Sequence, residues 1–187
     1  GRFAGEQMRA FGVVWGAVRG DAVIENSYAD VKNVVVTSGM STIRTDGRFS
    51  LGYPRRDGGE QIDAIVRIER RPIADLRRAF GLDDYDLDGI FSGEFHVFGE
   101  YQRPFGFGAL TIEAGVAYGE GFESATAGVL LEGAGVRLDN IQIAKGGGRG
   151  TGAAFVGWNG TYSFNFEARD IAVETLTAAS QSPFPLS

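Results

Sequence analysis

At 187 residues the chain is long enough to bury an ordinary core as one domain or to hold two related units. Lys and Arg total 18 against 24 Asp and Glu, and the resulting net charge of -6 disfavours a nucleic-acid partner, whose binders carry a basic stripe. With no cysteine there are no disulfides, thiolate metal sites or Cys nucleophiles, while the redox compartment stays open.

The 16 Arg against Lys32 and Lys145 reflect genome composition, and the 29 glycines fall at strand ends and on strands. No initiator Met, signal pattern or apolar run of about 18 residues is present. The chain therefore reads as an excerpt from something longer, with any export signal or anchor outside it.

In chain order, residues 1 to 12 and 13 to 18 read as two short strands, the second extending toward Asn26. Val31 to Val36, Ser41 to Thr45 and Arg48 to Tyr53 follow, then a polar turn from Pro54 to Gly59. The strand Gln61 to Glu69 alternates, with Ile62, Ala64, Val66 and Ile68 on one face. Pro72 to Phe80 breaks this pattern: Ile73, Leu76 and Phe80 recur at helical spacing behind a proline, which predicts a helix of two turns. Asp83 to Gly89 is an acidic turn. Ile90 to Gly99 resumes alternation, with Phe91, Phe95 and Val97 on one side and Ser92, Glu94 and His96 on the other.

The chain is organised around Gly106 to Leu176. Leu110, Ile112 and Ala114, then Ala125, Ala127, Val129 and Leu131, then Tyr162, Phe164, Phe166 and Ala168 recur at every second position. Alternation makes a half-buried strand, because successive side chains leave opposite faces of the pleat. The turns between these runs carry glycine: Gly119-Glu120-Gly121, Gly133-Ala134-Gly135, Gly146-Gly147-Gly148 and Asn159-Gly160. This predicts a meander of roughly six strands, each of about five to nine residues, with one apolar face. Gln181 to Ser187 is a linker or a cut end.

Several motifs invite sharper chemistry. Asp84, Asp86 and Asp88 before Gly89 resemble the start of a calcium loop, yet its twelfth position is Phe95 and a strand follows, so an acidic turn is the better reading. The Gly146–Gly152 run lacks the Gly-Lys-Ser/Thr ending and a following helix, and reads as a turn. His96, the one histidine, has no Ser or Cys motif to serve and reads as a surface residue beside Glu94. Trp15, Tyr53, Phe105 and Trp158 form a carbohydrate platform only if strand-end aromatics do not simply cap the interior. Arg70, Arg71, Arg77 and Arg78 around the helix read as a solvated face rather than a lipid head-group site.

The two halves repeat. Val31-Lys32-Asn33-Val34-Val35-Val36 matches Leu138-Asp139-Asn140-Ile141-Gln142-Ile143. Gly47 matches Gly152; Leu51-Gly52-Tyr53 matches Val156-Gly157-Trp158; Ile62, Ala64 and Val66 match Tyr162, Phe164 and Phe166; Ile73 and Leu76 match Val173 and Leu176. Units repeated this way stack end to end as solenoids do. The expected division is a partial unit over 1–82, a complete one over 83–180 and an end segment over 181–187, in one continuous trough.

A fixed order of motifs resembles the AsmA/TamB family of bacterial envelope proteins. Leu87-Asp88-Gly89-Ile90-Phe91-Ser92-Gly93-Glu94-Phe95 leads to Gly99, Pro104 and Gly106-Phe107-Gly108-Ala109-Leu110-Thr111-Ile112. Tyr118-Gly119, Phe122-Glu123-Ser124-Ala125, Val136-Arg137-Leu138-Asp139-Asn140-Ile141, Lys145-Gly146-Gly147-Gly148 and Gly152 follow. The resemblance covers 85–176 well and 13–80 more loosely. It implies a β-taco, a long sheet curled into an open trough with apolar side chains inside. It also implies anchoring of the parent chain in the inner membrane, a periplasmic span, phospholipid movement toward the outer membrane, and outer-membrane protein assembly with a barrel partner.

The expectations are thus an all-β, solenoid-like curled antiparallel sheet with an apolar concave face and one short helix, without enzymatic activity or cofactor. The lining is assigned to Val34, Val36, Ile62, Val66, Phe95, Val97, Leu110, Ile112, Val129, Leu131, Ile141, Ile143, Phe164 and Phe166. Its partners are phospholipid acyl chains, neighbouring repeats of the same chain and the implied barrel protein. The competing expectation is a structural or adhesive β-solenoid with a dry interior that binds protein or glycan on its outside.

Overall fold

A computed structural model describes residues 1–51 and 61–170. The expectations for Tyr53, the turn Pro54 to Gly59, Val173, Leu176 and the segment Gln181 to Ser187 lie outside the described residues. The elements are β1 (Arg2–Ala10), β2 (Val13–Glu25), β3 (Tyr28–Ser38), β4 (Ser41–Ser50), β5 (Gln61–Pro72), α1 (Ile73–Phe80), β6 (Leu87–Glu100), β7 (Arg103–Ala117), β8 (Glu120–Glu132), β9 (Gly135–Lys145), β10 (Gly148–Gly157) and β11 (Tyr162–Arg169). All eleven strands form one antiparallel sheet in chain order. The protein is all-β, and its curled sheet does not close, since β1 and β11 lie at opposite ends of the order.

Two-residue turns explain why the strands outrun their expected length, reaching 15 residues in β7. Phe11-Gly12, Tyr118-Gly119 and Gly146-Gly147 have positive φ at both positions, the geometry whose twist matches the flanking strands. The described part of the Gly106 to Leu176 stretch accordingly holds five strands, β7 to β11. The two strands expected between Ser41 and Tyr53 are one continuous β4 in its described part. Asp46-Gly47 has the composition of a turn, but Gly47 sits in mid-strand because a Cβ there would meet Ala64 at 2.5 Å.

From β1 to β9, each odd-numbered strand carries one non-glycine residue in the left-handed region: Gln7, Asn33, Arg70, Ala114 and Asn140, with φ between 48° and 53°. Pairing register slips at these bulges, as between Val31 and Val34 on β3 and between Ile68 and Arg71 on β5. A bulge bends its strand and raises the local twist, which curls the sheet. Asn33 and Asn140, aligned by the internal repeat, share this conformation, which asparagine tolerates better than most residues. The Asn33 amide donates to Asp46 Oδ1 at 2.7 Å, and the Arg70 amide to Ser92 Oγ at 3.0 Å.

Apart from α1, each element packs substantially only on its neighbours in chain order. Burial therefore comes from curvature, as side chains on the inner face shield one another: Val34 and Val36 are 7% exposed, Ala64 1% and Val129 9%. The helix starts after Pro72, as its sequence predicts, ends at Gly81 in the left-handed region and packs on β2, β5 and β6.

Candidate functional site

Cα partners across a sheet share a face, so the register decides which side chains lie together. One ladder runs through nine strands: Val34, Thr45, Val66, Phe95, Gly108, Val129, Leu138, Ala154 and Phe164. Its single polar side-chain atom, Thr45 Oγ1, is buried without a partner. Parallel rows add Val36, Ile43, Ile68, Gly93 and Leu110 on one side, and Ala64, Val97, Gly106 and Leu131 on the other. Ile112 joins Ala125 and Ile143, Gly152 joins Ile141 and Phe166, and Ile62 shares the strand face of Val66. The fourteen residues expected to line a trough thus lie on one face of the sheet.

Aromatic rings on this face lie flat over glycines. Phe91 and Phe95 lean over Gly93 and stack with centroids 6.0 Å apart at 6°; a Cβ on Gly93 would meet the Phe95 ring at 2.6 Å. The Phe166 ring covers Gly150 at 2.5 Å in the same sense. Strand glycine here makes room for ring surface, so the face is apolar and shallow.

Several members escaped sequence reasoning. Leu138 stands three residues before Ile141 because the Asn140 bulge breaks strict alternation, and Asn at matching places in both repeats was the available signal. Ala114, expected on the apolar face, is instead a bulge residue and exposed. Ile43, inside the expected strand Ser41 to Thr45 but not assigned to the lining, joins the face through its register with Val36 and Ile68.

One end of the face is clamped. Arg71, expected to be solvated, is 2% exposed and pairs in register with Phe91 on the apolar side. Its guanidinium donates to the carbonyls of Val14 (3.1 Å) and Trp15 (3.2 Å), meets Asp75 at 2.8 Å and stacks 4.9 Å from the Trp15 ring centroid. Sequence composition could not find it, because the clamp joins residues more than fifty positions apart. Arg77 donates to the carbonyls of Leu87 and Asp83, which ties α1 to the acidic turn.

The opposite face is charged. Arg44–Glu69, Arg67–Glu94 and Arg137–Glu132 pair across or along strands at 2.6 to 3.0 Å. Hydrogen bonds donated by Arg137 hold the Glu132 carboxyl below its ordinary range, and the same bonds raise Arg137. His96 meets Asp63 at 2.8 Å, not the Glu94 beside it in sequence, which belongs to Arg67. Open depressions of about 420 and 720 Å³ near β1 to β3 are lined largely by this face, including Arg19, Asp21, Asp30 and Lys32.

The remaining motifs resolve locally. Asp88 Oδ1 accepts the Gly89 amide at 2.7 Å, and β6 already begins at Leu87, inside the calcium-like stretch. Gly146-Gly147 is the β9–β10 turn, its first amide donating to Glu123. The aromatics Trp15, Trp158 and Phe105 do not share one site: Trp15 bonds Ala10 O, while Trp158 bonds Gly133 O and the Phe105 ring, stacked on Phe98 on the charged face, lies against the same Gly133. No protein-family model matches the sequence, and neither the curated proteins nor the solved structures contain a match.

Proposed function

We propose that this chain is a segment of a hydrophobic trough, of the kind the AsmA/TamB resemblance implies, that shields phospholipid acyl chains on their way between the inner and outer membranes. It is a lining and not a catalyst. Its parent chain is anchored in the inner membrane, crosses the periplasm and meets an outer-membrane barrel protein at its far end. The observation that carries this reading is the nine-strand apolar ladder, continuous from Val34 to Phe164 on a sheet that no second sheet covers among the described residues.

The energetics favour such a surface. Moving an acyl chain into water costs about 0.8 kcal/mol per methylene, so a ~16-carbon chain faces on the order of 12 kcal/mol. A continuous apolar path offsets this along its length, while head groups stay in water at the open side. Interchangeable Val, Leu, Ile and Phe give many weak contacts, which suit sliding better than one deep pocket does.

The tight packing around Val34 and Val36 favours a second reading, a packed solenoid with a dry interior. A photoreactive residue at Ile112 or Phe164 separates the two: phospholipid adducts support the trough, and their consistent absence in folded, functional protein supports the solenoid. Val129→Asp with Leu131→Asp should stop lipid passage, and passage through a folded double variant would refute the trough.

A further inference from the structure

We propose that the rim of the sheet carrying α1 rests on the interfacial zone of a zwitterionic phospholipid bilayer, independently of any cargo on the apolar face. Because the strands run antiparallel in chain order, their connections alternate between two rims. The helix rim holds Phe11-Gly12, Gly39-Met40, α1 with the turn 81–86, Tyr118-Gly119 and Gly146-Gly147. Its tips are apolar and stand in water: Phe11 is 77% exposed, Met40 76% and Tyr118 59%, and Leu82 and Tyr85 are exposed beside α1. Val14 and Val116, also exposed, widen the two aromatic turns. The opposite rim turns through Asn26-Ser27, Gly133-Ala134 and Asn159-Gly160-Thr161, and its aromatics are tied back to the sheet, Tyr101 Oη to Ser50 O and Trp158 Nε1 to Gly133 O. Ile24 and Leu51 are the exposed apolar residues left on that side.

The aromatic tips come at a cost to the fold, which is a second observation. Phe11 and Tyr118 take φ of 52° and 50° at the first position of two-residue turns, where Asn, Asp and Gly fit and a bulky side chain is strained. The opposite rim follows turn chemistry at the same position, with Asn26 at 49°. A ring that is mostly exposed recovers little of that strain by packing within the chain. Strain kept under these conditions marks a contact with another phase or molecule.

Spacing and charge select the bilayer. Successive turns on one rim are two strands apart, roughly 10 Å, and the exposed charges Arg9, Arg78, Asp83, Asp84 and Asp86 stand among the tips. Separate protrusions offer a rigid partner no continuous patch, whereas a fluid interface closes around each one. Phe, Met and Leu bury there, and tyrosine keeps its hydroxyl among the head groups. The rim is joined across α1: a Cβ on Gly12 would touch Arg78 at 3.8 Å, and the Tyr118 amide donates to Asp86 O at 2.8 Å. Two cations against three carboxylates give anionic lipid no advantage. Docked this way, the strands stand upright on the leaflet and the sheet runs along it.

Flotation of the whole chain with phosphatidylcholine vesicles tests this, and the absence of cysteine lets a single dye report each rim. An environment-sensitive dye on Met40→Cys should shift to the blue when vesicles are added, and one on Gln102→Cys, at the opposite rim, should not. Phe11→Asn with Tyr118→Asn should weaken vesicle binding at least about tenfold, while thermal melting stays or rises because asparagine tolerates the left-handed turn. Ile24→Ser and Leu51→Ser should leave binding unchanged, and adding phosphatidylglycerol should not tighten it. Docking is read at Met40 and cargo at Ile112, so either can fail without the other. A chain that does not float overturns the proposal, as do equal dye shifts at both rims or an asparagine variant that binds like the unaltered chain. So does binding that appears only with anionic vesicles, or self-association through Phe11 and Tyr118 in place of vesicle binding.

Discussion

The β2–β5 end of the sheet and the β8–β11 end carry the same apolar side on equivalent strands, yet they hold it differently. Around β3, Val34 and Val36 are 7% exposed, and Arg71 ties β5 and α1 to the β2 carbonyls beneath Trp15. At β11, Phe164 is 73% exposed and Phe166 43%, with Tyr162 stacked on Phe164 at 6.3 Å. The bulge asparagines Asn33 and Asn140 are common to both ends, so the difference comes from the clamp and the helix at one end and from the place of β11 as the last strand of the order at the other. Ala125, Ala127 and Val129 on β8 are buried as Val34 and Val36 are, so among the described residues it is the last strand, β11, that leaves its apolar side chains open.

Removing the clamp should have the largest effect. Arg71→Met leaves Asp75 and two carbonyls without their cation and should cost about 3–5 kcal/mol in denaturant unfolding. Arg149→Met, at an exposed β10 position, should cost under about 0.5 kcal/mol. Equal losses would abolish the distinction between the two ends.

Truncating the lining should show the same asymmetry. Val34→Ala should destabilise by about 2 kcal/mol through lost burial and an unfilled gap, and Phe164→Ala by under about 1 kcal/mol. If Phe164→Ala instead abolished lipid crosslinking while stability held, that would sharpen the contrast between a structural and a ligand-facing end.

The shared bulges should respond without regard to end. Ala114 pays a left-handed penalty that asparagine largely avoids, so Ala114→Gly should raise stability by about 0.5–1 kcal/mol on thermal melting. Asn33→Gly and Asn140→Gly should change it little and by similar amounts; unequal responses would show that the ends differ in strand geometry after all.

The smallest effect concerns Glu132. Its folded pKa lies below the ordinary 4.5 because Arg137 donates to the carboxylate, so its contribution is present above that value and is lost as pH falls through the lowered one. Arg137 is exposed and Glu132 partly so, so Glu132→Gln should alter the acid limb of a stability profile only slightly, and less as salt rises.

Much of this was legible in the sequence. Period-two alternation depends on nothing but the pleat, so Leu110, Ile112, Val129 and Phe164 declare their common face unaided. The proline-started helix and the glycine turns are equally local events. Ala114 and Leu138 were not legible in that way, because a bulge inserts one residue and resets the alternation downstream. Nor was the buried Arg71, nor the exposed ridge of Phe98, Phe105 and Phe107 among charged neighbours. Which face a residue takes within a strand follows from neighbours one and two positions away. Which partner a guanidinium meets, and whether a face is covered, depends on how far the whole sheet curls, and only the tertiary structure decides that.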